Sequence, residues 1–520
     1  MGRKFVGVLL LMVIGAAAIV AAYLLLPYFK DREQKVTSDA RKTQGRIVIA
    51  LDNWIGYFPL RSPEMKAAMR RAGWQLVIED DNADYPGRMT RLSKGQIDLA
   101  VATVDSYLLN AHPLNFPGTI IAVLDTSKGG DSILAKADAV SNLSEVRGKP
   151  NLRVAYTPGS PSHYLLKAAA THFNVPELLP TGSRRIETGG SEEALKKLLT
   201  GNTDLAVLWE PDVSKALAQP GIVKILGTEE TEGLIVDILL VGREFSQDHP
   251  ERVNLLLKTY FRVLKSYRDQ PDLLKRHIRE ETGLPEAAVL AMLKGVEWAN
   301  FSQNCERWFG LSAPGVAADE GLVDTIYATG AILVSAGDFS RDPIPDRDPY
   351  RLINSAFLEE LLTTGMSGFV SSPGTGQAAV RSLEARFAPL DSGGWNALKT
   401  VGSLKVDPIV FQSGTTGLDL LSKQIIDKAV ERLRHYPLFR VVIKGHTGTR
   451  GDPTQNRRLS QERAEAVAKY LEITYNIDPN RLRPVGAGGE QPLPRKPGES
   501  KRSWEYRLPR VELLLVREDI

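Results

Sequence analysis

The chain of 520 residues has one cysteine, Cys305. A single thiol forms no intrachain disulfide and no cysteine-based metal cluster, so neither device organises the fold. Its default role is that of a small buried side chain. A charge excess is missing as well: Lys+Arg 65 against Asp+Glu 62 leave a net charge of +3. That balance offers no general argument for a nucleic-acid partner. There is no Gly-x-Ser-x-Gly elbow with triad partners, no Walker loop and no His-Glu-x-x-His helix. The 7 histidines are scattered and build no evident catalytic or metal constellation. The expectation is a protein that is not an enzyme and uses no cofactor.

What is present begins with an uncharged apolar run, Phe5 to Tyr28, behind Arg3 and Lys4. About 24 residues at about 1.5 Å each make roughly 36 Å of helix, enough to cross a hydrocarbon core of roughly 30 Å. The run is longer than a signal-peptide core, and its small residues fall in its middle instead of at its polar edge. Residues 1–29 therefore read as an uncleaved signal anchor in the inner membrane, with a cytoplasmic N-terminus, a juxtamembrane linker over 30–45 and the bulk of the chain in the periplasm. No ionisable side chain interrupts residues 5–28. That excludes a proton path through this helix.

From Gly45 short apolar strands alternate with amphipathic helices. "RIVIAL", "WQLVIED", "DLAVATVD" and "TIIAVLD" read as strands, with helices near Ser62 to Arg71 and Pro86 to Lys94. Such alternation predicts an α/β fold with a parallel-type sheet covered on both faces. "LSKGQIDLAVAT" is echoed by "LLTGNTDLAVLW" roughly 106 residues later, a spacing of one α/β lobe. Two similar lobes imply a cleft between them. Ligands of open α/β sheets lie beyond the carboxyl ends of the strands. There Trp54, Tyr57 and Trp209 would supply flat walls, or serve only as core. Asp105, Glu210 and Asp237 would supply acceptors, and Asp105 and Glu210 read equally as solvated loop acids. Ser160 reads as an N-cap with Pro161 at the first helical position, either a cap alone or an anion-binding helix start. His163 is the histidine beside this cleft.

Residues 46 to about 300 resemble the periplasmic substrate-binding proteins of the nitrate, sulfonate, taurine and thiamine-precursor class, the SsuA-like group. The stretches that carry the resemblance include "NWIGYFPL", "GQIDLAVATVDSYL", "TSKGGDSILAK", "YTPGSPSHYLL" and "LTGNTDLAVLWEPDVSKAL". It implies a type II binding-protein fold over 46–362, with lobe 1 at about 46–135 and 232–300, lobe 2 at about 136–231, and a helical extension at 301–362. It also implies ligand contacts at Trp54, Tyr57, Asp105, Gly130, Ser160, Ser162, Trp209 and Glu210, and a possible ABC permease as partner. The solute class, whether sulfonate, nitrate, amine or heterocycle, stays open. Lys128 and the helix start at Ser160 favour an anion; Asp105, Asp131, Glu210 and Asp237 favour a cation.

"TTGMSGFVSSPGTGQ" opens a linker over 363–400. Beyond it the order strand, helix, strand, helix, strand, strand predicts an α+β domain over 401–520, with strands at "KVDPIVFQSG", "FRVVIKGHT", "RLRPVGAGG" and "RVELLLV". The helices carry apolar stripes, Leu420, Ile425 and Ala429 on the first and Ala464, Val467 and Leu471 on the second. "IVFQSGTTGL", "GHT", "LSQERAEAVAKYL", "VGAGGEQPL" and "RLPRVELLL" resemble the OmpA-like peptidoglycan-associating domain. The resemblance implies a clamp on the diaminopimelate end of a wall peptide: an acid directly after Gly-x-Thr meets the ammonium, and an arginine before the helix alanine meets the carboxylate. Arg463 matches the arginine and Asn456 the family's asparagine. Gly448 stands where the acid is expected, which implies weak binding, and Asp452 is the nearest substitute. The whole reads as a fixed receptor for a small polar solute with a wall-facing domain. The alternative is a structural tether whose lobes have lost their ligand.

Overall fold

A computed structural model describes residues 43–311, 319–364, 366, 386–407, 409, 411 and 416–518. The predicted anchor over residues 5–28 lies outside these, as does most of the linker. Among the described residues no helix is long and apolar enough to cross a membrane.

The chain opens with β1 (Gly45–Leu51), β2 (Trp74–Asp80), β3 (Leu99–Thr103) and β4 (Gly118–Ser127). It crosses to β5 (Asp131–Lys136), β6 (Val154–Tyr156), β7 (Arg185–Glu187), β8 (Leu205–Trp209) and β9 (Ile222–Gly227). It then returns as β10 (Val236–Gly242) and β11 (Val296–Trp298). The first sheet has the order β11-β4-β10-β3-β1-β2 and the second β7-β6-β8-β5-β9. The two "DLAV" segments are β3 and β8, buried at every position because helices cover both faces of their sheets. Each follows a helix ended by a glycine in the left-handed region, Gly95 (φ 61°) and Gly201 (φ 75°), where a Cβ would strain the turn.

Two features depart from the sequence reading. The sheets are mixed: β10 runs antiparallel to both β3 and β4, since it is the strand on which the chain re-enters the first lobe. The first crossing falls at residues 128–130, so β5 belongs wholly to the second sheet. The two crossings are tied together, with Ser127 Oγ 2.6 Å from Thr228 Oγ1 and the Gly129 N–H donating to that same Thr228 oxygen at 2.9 Å.

Local signals place the helices that frame the cleft. Ser62 accepts from the Met65 N–H and Pro63 takes the first position, so Pro63–Arg71 starts where predicted and buries Met65 and Met69; such a cap contributes about 1 kcal/mol. Asp84 caps Tyr85–Ser93 in the same way. In the helical extension, Gly321–Ala336 packs on Val104–Ala111 of the first lobe and Pro161–Phe173 of the second, and so bridges both.

The C-terminal domain has β12 (Lys399–Ser403), β13 (Arg440–His446), β14 (Leu482–Gly486) and β15 (Arg510–Arg517) in the order β12-β15-β13-β14. Its first strand lies upstream of the expected "KVDPIVFQSG": Lys399–Ser403 pairs antiparallel with β15, and that stretch is not strand at its described positions. The helix Leu420–Leu433 turns Ile426, Ala429, Val430 and Leu433 inward while Leu420 is 74% exposed. The predicted stripe was one position out of phase at Ile425, because an apolar pair Ile425–Ile426 leaves the phase ambiguous. Ala464, Val467 and Leu471 are buried as expected.

This domain docks on the back of the second lobe. The Lys405 N–H donates to the His172 carbonyl at 2.6 Å, the Glu232 N–H to the His435 carbonyl at 2.9 Å, and Glu230 pairs with Arg517. Phe173 meets Tyr436 edge-on at 5.1 Å between ring centroids.

Candidate functional site

A cavity opens where the two sheets face each other. Asp52, Trp54, Tyr57, Tyr85, Thr103, Ile235 and Asp237 line it from the first lobe and the second crossing, and Asp131, Pro161 and Trp209 from the second lobe. About 20 Å³ of free space remains, room for roughly one water. Strand register builds the wall. Asp237 on β10 stands directly opposite Thr103 on β3 and Asp125 on β4, and Asp131 on β5 stands opposite Trp209 on β8. Residues opposite one another share a face of a sheet. One row therefore reads Thr103, Asp237, Asp125, and the facing row Asp131, Trp209.

Aromatic donors hold the carboxylates. Trp54 Nε1 donates to Asp125 Oδ1 at 3.1 Å, and the Tyr57 hydroxyl donates to Asp237. Asp52 takes Arg88 at 3.0 Å, a fully buried guanidinium that also pairs with Asp81 and donates to the Val101 carbonyl at 2.8 Å. Burial pushes the Asp131 and Asp125 carboxyls up to about 7 and holds Asp237 well above the usual carboxylate range, each reinforced by the other acids. Asp125 Oδ2 is buried with no hydrogen-bond donor. The Tyr57 and Tyr85 hydroxyls are also driven well up, chiefly by burial and then by neighbouring carboxylates.

Of the eight residues singled out from the sequence, Trp54, Tyr57 and Trp209 form the wall. Gly130 is in contact behind it: a Cβ there would come within 2.2 Å of the Trp54 ring. Ser160 occupies the N-cap position but donates its hydroxyl back to the Thr157 carbonyl at 2.6 Å, so its side chain caps nothing. Ser162 Oγ and Asp105 Oδ2 are buried without partners, and burial pushes the Asp105 carboxyl up to about 7. Glu210 caps its own helix, accepting from Ser214 Oγ at 2.8 Å and the Ser214 N–H at 3.1 Å. His163 stacks on Tyr156 at 4.5 Å and is not part of the wall. Sequence reasoning passed over Asp52, Asp125 and Tyr85. The available signal was an aspartate inside or at the end of an apolar strand, as in "VLD" of β4 and "IVD" of β10.

In the C-terminal domain, Arg463 is buried with its guanidinium 4.9 Å from the Phe411 ring centre, and burial lowers its pKa. Gly448 follows the end of β13, and a Cβ there would meet nothing within 4 Å. Asp452 caps the helix Pro453–Tyr475, accepting from the Gln455 N–H at 2.8 Å. Eleven residues of helix set it roughly 16 Å along the axis from Arg463. Asn456 Nδ2 donates to the Arg450 carbonyl at 2.9 Å, fixing the loop between them.

Residues 410–504 match the OmpA family. In this region the chain is 30% identical over 87 residues to the peptidoglycan-associated lipoprotein of Brucella melitensis, covering 17% of this chain and 51% of that protein. It is 39% identical over 74 residues to the protein of the same name from Pseudomonas aeruginosa, covering 14% of this chain and 42% of that one. The chain thus spans about half the length of the curated relatives matched by its C-terminal domain. Over the two-lobed region it is 24% identical across 234 residues to the taurine-binding periplasmic protein of Escherichia coli, covering 42% of this chain and 68% of that protein. Among solved structures it is similar to the aliphatic sulphonate binding protein SsuA from Escherichia coli, with a TM-score of 0.41, 18% identity and coverage of 49% of this chain and 86% of that one. The chain therefore joins a two-lobed mixed α/β region, similar in sequence to the taurine-binding periplasmic protein, to residues 410–504 that match the OmpA family.

Proposed function

We propose that the protein is a solute receptor fixed in the cell envelope. Residues 5–28 anchor it in the inner membrane with a cytoplasmic N-terminus, the two lobes close on a small polar solute in the periplasm, and the OmpA domain faces peptidoglycan. An ABC-type permease is the partner that takes the solute onward. One observation carries this reading: the cavity wall is shared, with Trp54, Tyr57 and Asp237 from one lobe and Asp131 and Trp209 from the other. A site completed only when two lobes meet couples occupancy to closure. The taurine-binding and peptidoglycan-associated relatives support the solute and wall assignments. Gly448 at the acid position makes the wall contact weak, by about ten- to hundredfold for one lost charge-assisted partner.

The competing reading is a structural tether between inner membrane and wall. The free space of about 20 Å³ favours it, since the lobes are already closed on their own side chains. Thermal melting of the full chain in detergent, against sulfonates, nitrate, amines and heterocycles, separates the two. A receptor is stabilised by about 2.7 kcal/mol at a hundredfold excess over Kd. No shift with any of them leaves the tether.

A further inference from the structure

We infer that the solute is a compact organic cation, its charged nitrogen held against Asp131 and Asp237 within walls formed by Trp54, Tyr57, Tyr85 and Trp209. This rests on the receptor reading above and names its ligand class. Two carboxylates line the cavity from its two sides, Asp131 from the second lobe and Asp237 from the first, with Asp125 outside the lining and opposite Asp237 on the neighbouring strand. Asp125 and Asp237 face each other directly on neighbouring strands, and like charges so placed repel once both are ionised. No lysine or arginine is among the main influences on any of the three.

Two nearby cations are committed elsewhere, and Lys128 at the first crossing is not among the main influences on any of the three acids. Arg88 serves Asp52 and Asp81, and Lys167 is paired with Asp338 at 2.6 Å. The remaining charged neighbours, Asp105 and Glu210, are acids. An anionic sulfonate or nitrate would add a further negative charge to this set. A cation relieves it.

The walls favour the same class. Aromatic faces attract organic cations through the negative potential above their rings, and most strongly where water is excluded. Trp54 and Trp209 are 5% and 8% exposed, and Tyr57 1%. The Asp125 Oδ2 beside Asp237 is buried with no hydrogen-bond partner, so a positive charge at Asp237 also relieves the acid next to it. Among the described residues no group of three His, Cys, Asp or Glu is arranged to hold a metal ion, so the cation is organic.

The test is calorimetric titration of the full chain in detergent at pH 8, with ethylammonium, 1,4-diammoniobutane and guanidinium as cations, ethanesulfonate and nitrate as anions, and calcium as a metal ion. Binding of a cation and of no anion is expected, weakened about tenfold or more by Asp131→Asn and by Asp237→Asn. Both substitutions keep the shape and replace a buried ionisable carboxyl with a neutral amide, so they are expected to melt no lower than the parent at this pH. Lost binding with retained melting then locates the ligand. Binding of an anion alone overturns the cation class and leaves the receptor standing; binding of calcium alone overturns its organic nature. Cation binding untouched by both substitutions overturns the placement. Heat from no probe removes the receptor reading and this inference together.

Discussion

His172 Nδ1 on the second lobe lies 2.8 Å from the Tyr436 hydroxyl of the C-terminal domain. Both side chains are buried, and the His172 ring stacks on His435 at 5.5 Å with 18° between planes. His435 in turn holds the Glu232 carbonyl at 3.1 Å through Nδ1. The contact reaches only the second lobe and the crossing beside it. Whatever restrains the C-terminal domain therefore also restrains the second lobe, and through the bridging helix Gly321–Ala336 it bears on the first as well.

Tyr436→Phe removes the hydroxyl and leaves a buried imidazole nitrogen without its partner. A cost of about 1–2 kcal/mol is expected. Urea unfolding followed by intrinsic fluorescence should show the loss, with the C-terminal domain separating from the lobes earlier than in the parent.

The same contact should loosen in acid. Burial depresses the pKa of His172 and of His435; protonation of His172 is further opposed by His435 and Arg432, and that of His435 by Arg434. A depressed base is neutral in the fold and takes up protons on unfolding. Its contribution to stability is thus intact above about pH 6.5 and is lost as pH falls below that. Limited proteolysis of the linker region at pH 7.5 and 5.0 should show faster cleavage at the lower pH.

The cleft carries the opposite dependence. Asp125 and Asp131 are pushed up to about 7 by burial and Asp237 is held well above the usual carboxylate range. Their neutral forms favour the fold fully below about pH 4, and the contribution is lost as pH rises through about 7. Melting of the ligand-free binding module is expected to fall between pH 5.5 and 8.5. Asp237→Asn should flatten that decline, read by the fluorescence of the cleft tryptophans.

Gly130 lets Trp54 approach the second crossing. Gly130→Ala places a methyl group within 2.2 Å of the Trp54 ring and 2.8 Å of the Gly295 carbonyl oxygen. The ring must move, and overpacking of this kind costs about 1–3 kcal/mol. Solute affinity should drop about tenfold or more, with an altered Trp emission spectrum before any solute is added.

The proposed wall contact can be tested by a gain of function. Since a Cβ at Gly448 meets open space, Gly448→Asp should fold normally and supply the acid that the OmpA resemblance expects. Co-sedimentation with purified sacculi should rise about ten- to hundredfold. Gly448→Ala should leave it unchanged, and Arg463→Ala should abolish the gain.

Much of the fold was legible in the chain because periodicity and punctuation agree there. "RIVIAL" and both "DLAV" segments are strands, Ser62 with Pro63 and Asp84 before Tyr85 start helices, and Ala464, Val467 and Leu471 turn inward. These signals are local, each set by a few residues and the 2.0 or 3.6 repeat. Errors came where the local signal was double: Ile425 beside Ile426, or a serine before proline that turns back to the Thr157 carbonyl instead of capping.

The sequence by itself determined the two lobes, the order of the domains and the aromatic residues that stand at strand ends. Only the tertiary structure decided that Asp125 faces Asp237 across β4 and β10, that Asp131 meets Asp237 from the other lobe, and that His172 and Tyr436 join the lobe to the C-terminal domain. The residues of each pair are separated by more than 100 positions, and no local propensity encodes the register of strands so far apart. That register is set when the hydrophobic faces of two lobes are buried together, and it is there that the charge of the cleft is fixed.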